Sequence, residues 1–202
     1  MAYRTDRTQE TEEFKRRIAA LLAAYQDGDK AAAREFVEAL YPMLYRYYIA
    51  QLRDAGLAED LTQECWIRIH QARASYRRGE PVLPWVFAIA RFTNIDAYRK
   101  RRRSLTNEVA LPEGGWEPSA DPRPAMESRL SAARILEQLG GLPEAQREVF
   151  VMLKVSGMSL DEIARATGTS AGAVKQKVYR ACQALRSAFG VKTAHDDGGD
   201  AR

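Results

Sequence analysis

Cysteine and histidine are nearly missing from this chain, with two of each in 202 residues. Cys65 and Cys182 lie far apart, with neither CxxC spacing nor a neighbouring histidine. That excludes a disulfide framework or a thiolate metal site, and both cysteines read as small apolar residues in a reducing compartment. With only His70 and His195 available, and nothing that looks like an activated nucleophile, no catalytic constellation assembles. A non-enzyme is expected, with no metal and no cofactor. No apolar run is long enough to span a bilayer, and Met1 to Lys15 is polar and charged rather than a secretory leader, so a cytoplasmic location is expected. Alternating apolar and polar stretches of strand length are absent, and so are internal repeats. What remains is helical periodicity, which predicts an all-α fold.

The net charge of +4 is modest but clustered: Arg99, Lys100, Arg101, Arg102 and Arg103 are consecutive, whereas His195 to Asp200 is acidic. A clustered basic run is the electrostatic footprint of a nucleic-acid partner. Apolar residues recur at helical spacing from about Glu12 to Arg103, stop, and resume near Ala125. The interval contains Pro112, Gly114, Gly115, Pro118, Pro122 and Pro124 and has little to bury. The expected organisation is therefore two small helical domains, 12–103 and 125–190, joined by a flexible linker over 104–124. A disordered acidic tail over 191–202 follows.

Ser159 to Arg186 carries the sharpest motif. Ser159 and Glu162 form a capping box that starts one helix. Ala164 stands where two crossing helices touch, Gly168 where the chain needs a left-handed turn, and Val174 where a second helix returns to the same core. Thr169 or Ser170 caps that second helix, whose apolar stripe is Val174, Val178, Ala181, Leu185 and Phe189. Its other face carries Gln176, Arg180 and Gln183, and it opens on the small residues Ala171, Gly172 and Ala173. Glutamine pairs with an adenine edge, arginine with guanine or phosphate, and lysine with the backbone, so this is a helix-turn-helix facing a major groove. A plain helical hairpin with a solvated basic face is the alternative.

Two helices of the first domain are also informative. Leu57, Leu61, Cys65 and Ile69 form one stripe, and Asp60, Gln63 and Glu64 lie together on another face. No histidine or third ligand joins these carboxylates. They read as a solvated face or as an acidic docking surface for a basic protein partner. From Pro84 to Arg103 a second amphipathic helix is predicted, with Trp85, Ala88, Ile89, Phe92 and Ile95 on the buried side and Phe87, Arg91, Asn94, Tyr98 and Arg101 opposite. Aromatics interleaved with Arg and Asn suit single-stranded DNA, offering π-faces to bases and cations to phosphates. Packing of Phe87 or Tyr98 against a neighbouring helix is the competing expectation. The preceding loop Tyr76 to Leu83, with Arg77 and Arg78, could receive an unstacked base.

AEDLTQECWIRI, then YRRGEPVLPWVFAIARFTNIDAYRKRRR, then LPEAQREVFVMLKVSGMSLDEIARATGTSAGAVKQKVYRACQALR together resemble a bacterial sigma factor of the extracytoplasmic-function class, from Tyr25 to Phe189. The resemblance implies that the first domain (region 2) docks on the clamp helices of the RNA polymerase β′ subunit and melts the minus-ten element. The second (region 4) reads the minus-thirty-five element and touches the β flap. By the same resemblance, Asp60, Gln63 and Glu64 match the polymerase-docking helix. Tyr76 to Leu83 matches the base-capturing loop, and Arg91 to Arg103, with Arg99, Arg101 and Arg102, the melting and backbone-binding helix. Ser170, Ala171, Gly172, Ala173, Lys175, Gln176, Lys177 and Arg180 fall in the upstream-element reader. A cognate anti-sigma factor is implied as a further partner. The chain departs from the family pattern at Phe92, where Asn is frequent, and at Ala171, Gln176 and Cys182, where Pro, Ser and Arg are frequent.

Other readings stay open at this level. A two-domain helix-turn-helix regulator needs a ligand or dimer surface in its first domain, which the acidic face and basic aromatic helix argue against. A recombinase needs a catalytic Ser or Tyr among dispersed Arg and His, and none assembles. An anti-sigma-binding decoy, or a sigma-like adaptor that docks on polymerase without opening DNA, is opposed only by Asn94 and the aromatic face.

Overall fold

The computed structural model describes the backbone of residues 2–107 and 126–189, with side chains over 9–103 and 133–189. Most of the expected linker, and the acidic tail, lie outside the described residues. Among the described residues the chain is all-helical: α1 (Ala2–Gln26), α2 (Lys30–Leu52), α3 (Ala55–Ala72), α4 (Val82–Asn107), α5 (Met126–Gly140), α6 (Glu144–Lys154), α7 (Leu160–Thr167) and α8 (Ala171–Ala188), with one 3-10 turn at Arg73–Ser75. The helix α4 therefore continues to Asn107, into the stretch expected to be linker.

Local chemistry accounts for the helix ends. Asp29 caps α2 by accepting from the Ala31 and Ala32 amides at 2.8 and 3.1 Å, and Asp54 caps α3 by accepting from the Leu57 amide at 2.9 Å. Pro42 stands inside α2 on its exposed side. The helix continues through it because Phe36, Leu40, Leu44, Tyr47 and Tyr48 are all buried on the other side, each contributing about 1.5–3 kcal/mol of apolar burial against the roughly 3 kcal/mol that an interior proline costs.

The first domain is the layered group α1 to α4, in which α2 packs on α1 and α3, and α3 on α4. The buried line of α4 is Val82, Leu83, Val86, Phe87, Ala90 and Thr93, not the stripe predicted from periodicity. Phe92, expected inside, is 60% exposed, while Phe87, expected on the DNA-facing side, is fully buried. The cause is that α4 is covered twice, by α3 and by α7 of the second domain. A helix buried along two flanks has an apolar arc too wide for a single stripe to locate its edges.

The second domain has the predicted turn. Ser159 Oγ accepts from the Glu162 amide at 3.2 Å while Glu162 Oε2 accepts from the Ser159 amide at 2.7 Å, completing the capping box. Gly168 has φ +66°, a left-handed conformation that glycine enters without the Cβ penalty. Ser170 Oγ caps α8 through the Ala173 amide at 3.2 Å, and Val174 and Ala181 are buried. The two domains pack on each other, α6 and α5 against α2 and α7 against α4, so their buried residues form one continuous core.

Candidate functional site

Three surfaces collect the residues singled out by sequence, and they differ in how they are held.

On α8, Gly172, Lys175, Gln176 and Arg180 are exposed, and Ala171, Ala173 and Lys177 half-buried, with Ser170 engaged as the cap. The buried stripe fixes the rotation of the helix, so the Gln176, Arg180 and Gln183 side faces solvent. Tyr179, not anticipated from sequence, is 59% exposed there, and its hydroxyl accepts from Gln183 Nε2 at 2.9 Å. This bond holds a flat aromatic and an amide together on the polar side. An exposed Tyr at i with Gln at i+4 is a legible signal in the sequence.

On α3, Asp60 and Gln63 are exposed and Glu64 is half-exposed. Glu64 accepts from Arg68 Nε at 2.9 Å, and Arg68 Nη1 reaches Asp96 of α4 at 2.7 Å. The hydrogen bond from Arg68 holds the Asp96 carboxyl below its ordinary value, and the two acids also push Arg68 up. Asp60 is then the unshared acid of the face, beside the exposed Ile67 (54%). Ile67 is exposed on this side of α3 and lies off the stripe predicted from sequence.

Along α4 and the loop before it, the expected residues divide. Phe87 is corrected from a DNA-facing ring to a core residue: it packs edge-on against Tyr47, centroids 5.5 Å apart at 85°, and offers no face to a base. Tyr98, Arg99 and Arg102 are exposed, Asn94 and Arg101 half-buried. Arg91 is paired with Glu148 of α6 at 3.2 Å. In the loop Arg77 is exposed, whereas Arg78 is tied to α1, donating from Nε to Gln26 at 3.0 Å and bridging Asp27. Between loop and helix lies a recess of about 380 Å³ lined in part by Tyr76, Arg77, Glu80, Pro84 and Trp85. Tyr76 and Trp85 meet there at 5.3 Å between centroids. Tyr76 is buried there and Trp85 half-buried. Phe92 is exposed one turn beyond Ala88 at its edge.

Cys65 is buried, and burial pushes its thiol up to about 11, which leaves it protonated and inert; Cys182 is half-buried. Among the described residues no group of three or more His, Cys, Asp or Glu side chains is placed to hold a metal ion, and no helix is long and apolar enough to cross a membrane.

Residues 36–104 match the Sigma-70 region 2 family and residues 125–185 the Sigma-70, region 4 family. The ECF RNA polymerase sigma factor SigD of Mycobacterium tuberculosis is 35% identical over 177 residues, covering 84% of this chain and 82% of that protein. SigF of Caulobacter vibrioides, also an ECF RNA polymerase sigma factor, is 34% identical over 172 residues, covering 84% and 92%. Two solved structures share the fold. The sigma factor RpoE in complex with the anti-sigma factor NepR from Bartonella quintana has a TM-score of 0.66 at 23% identity, covering 79% of this chain and 98% of that one. CnrH in complex with the cytosolic domain of CnrY has a TM-score of 0.66 at 22% identity, covering 88% and 99%. With regions 2 and 4 in order on one all-helical chain and relatives of this similarity along most of its length, the protein belongs to the extracytoplasmic-function (ECF) class of RNA polymerase sigma factors.

Proposed function

We propose that this sigma factor divides its work among the three surfaces. The α3 face of Asp60, Gln63 and Glu64, with Ile67, docks on the β′ clamp helices of core RNA polymerase, and the second domain contacts the β flap. The polar side of α8 reads the minus-thirty-five duplex: Gln176 and Arg180 at base edges, Lys175 and Lys177 at phosphates, and the small residues Ala171 to Ala173 allowing the helix end to approach. The recess at Tyr76 and Trp85, with Arg77 and the Asn94, Tyr98, Arg99, Arg101 and Arg102 surface of α4, takes the unpaired minus-ten strand, and Arg78 joins it once released from Asp27. Polymerase supplies the phosphoryl chemistry, so the chain acts without a catalytic group or cofactor of its own. An anti-sigma protein is the expected inhibitor, and a cytoplasmic location follows from the polymerase partner.

One observation carries this reading: a single chain presents an exposed polar side of α8 with Gln176, Arg180 and Gln183 and, separately, exposed arginines and Tyr98 along α4. Neither domain needs to bind tightly alone, because linkage supplies the second contact at high effective concentration. The test is a salt titration of fork-junction promoter binding by the core-bound factor. Replacing Arg101 and Arg102 with Ala should flatten the log–log salt slope by about 0.7 for each single-strand phosphate that is no longer neutralised. An unchanged slope removes these arginines from the DNA surface.

A further inference from the structure

The loop before α4 is held by a residue of α1. That helix ends at Gln26, half-buried, and the single side-chain amide spends both of its hydrogens on the entrance to the loop. Gln26 Nε2 donates to the Arg73 carbonyl at 2.7 Å and to the Tyr76 carbonyl at 2.9 Å, while its Oε1 accepts from Arg78 Nε at 3.0 Å. Residues 47, 50 and 52 positions later in the chain thus converge on one amide. The anchor is itself braced: the Tyr25 hydroxyl and His70 Nδ1 of α3 are 2.5 Å apart, and the Arg73 guanidinium lies over the Tyr25 ring at 5.4 Å. Beyond the entrance the loop closes on itself. The Glu80 amide donates to the Arg77 carbonyl at 3.2 Å, the Tyr76 hydroxyl donates to the Glu80 carbonyl, and Gly79 supplies the φ of +92°. Asp27 bridges Arg78 from the α1 side. Tyr76, whose carbonyl Gln26 holds, lines the 380 Å³ recess with Arg77 and Glu80.

We infer that Gln26 is a positioning residue for the single-strand site, setting the shape of the 76–80 loop before DNA arrives without touching DNA itself; this presupposes that the loop captures an unpaired base as proposed above. An amide bonded to two main-chain carbonyls fixes backbone, not only a side chain, so it acts on how a base fits and not on how much charge meets the phosphates. The size of the effect follows from populations: a loop that keeps its binding shape a tenth of the time binds about tenfold more weakly. Second-shell hydrogen bonds of this kind are what hold a site to its productive geometry.

Gln26→Leu and Gln26→Glu test this in the core-bound factor, with a single-stranded non-template oligonucleotide spanning the minus-ten element and a set of the same strands, each carrying one abasic position. The leucine removes all three bonds; the glutamate keeps an acceptor for Arg78 but has no N–H for the two carbonyls. Both variants should bind the intact strand about tenfold more weakly than the parent. That deficit should vanish on the one abasic strand that lacks the captured base, which is the strand on which the parent itself loses affinity, and persist on the others. The salt slope of Gln26→Leu should stay parental, because Asp27 still holds Arg78. A deficit that persists on every abasic strand would mean that Gln26 only braces α1 against α3, and overturns the inference. So does parental binding by either variant, or a changed salt slope, which would place the effect at Arg78. If the parent loses no affinity on any abasic strand, base capture by the loop fails, and the positioning role with it; if the parent shows its position and the variants keep it unchanged, only the positioning role has failed.

Discussion

Replacing Phe87 and Tyr98 with alanine, one at a time, separates packing from recognition on a single helix. Phe87 is fully buried and meets Tyr47 edge-on at 5.5 Å, whereas Tyr98 is 65% exposed. Removing a buried phenylalanine costs about 3–5 kcal/mol, a large share of the roughly 5–15 kcal/mol that holds a protein folded. For a domain of 150–250 residues each kcal/mol moves the Tm by about 2–4 °C, so Phe87→Ala should lower it by roughly 6–20 °C. Tyr98→Ala touches nothing of that kind and should leave stability within about 0.5 kcal/mol. Its effect should appear instead in single-strand binding by the core-bound factor, as a loss of about 1–3 kcal/mol, roughly 5- to 150-fold in Kd. Calorimetry and fluorescence anisotropy on the same preparations read both quantities. The reasoning is refuted if Phe87→Ala keeps the parental Tm while losing strand affinity, or if Tyr98→Ala unfolds the protein and spares binding.

Further outcomes follow from the other surfaces. Gln176→Ala and Arg180→Ala should each relax discrimination at one upstream base by about 1–3 kcal/mol; equal losses on matched and scrambled duplexes would show that these side chains hold phosphates only. Reversing Asp60 and Glu64 to Lys should weaken core-polymerase affinity with helicity retained, and unchanged affinity in a pull-down titration dismisses the α3 face as the docking surface. Burial pushes the Glu162 carboxyl up, but the Ser159 amide and Lys15 outweigh it and hold the group below its ordinary value. A depressed folded value means the contribution is present above the unfolded carboxylate range of about 4.3 and is lost as pH falls through the folded value. Urea midpoints measured from pH 6 downward should therefore drop less in Glu162→Gln than in the parent, and parallel curves would contradict the assignment.

The helix-turn-helix was legible because its signals are local: Ser159 and Glu162 are three residues apart, Gly168 needs only its own backbone, and Ser170 caps the amide three residues on. The stripe of α3 was legible for the same reason. Phe87 and Phe92 exchanged roles because α4 meets neighbours on two sides, and the second of these comes from the other domain, beyond any window of helical periodicity. Domain packing itself left no trace in the pattern. Only the folded chain brings Glu148, Arg147 and Lys15 to Arg91, Gln51 and Glu162, residues 57, 96 and 147 positions away. The recess walled by Tyr76 and Trp85 was anticipated as a loop but not as a cavity, since ring contacts across a turn depend on geometry that spacing does not encode.

Transcription from a promoter library by sigma-free core polymerase, with and without the purified chain, tests the sigma-factor function most directly. Addition of the chain should produce transcripts that start at a fixed distance downstream of a shared pair of elements, and the Gln176→Ala and Arg180→Ala variants should alter which upstream elements are chosen. Transcript starts identical with and without the chain, despite its stable binding to core, would contradict that function.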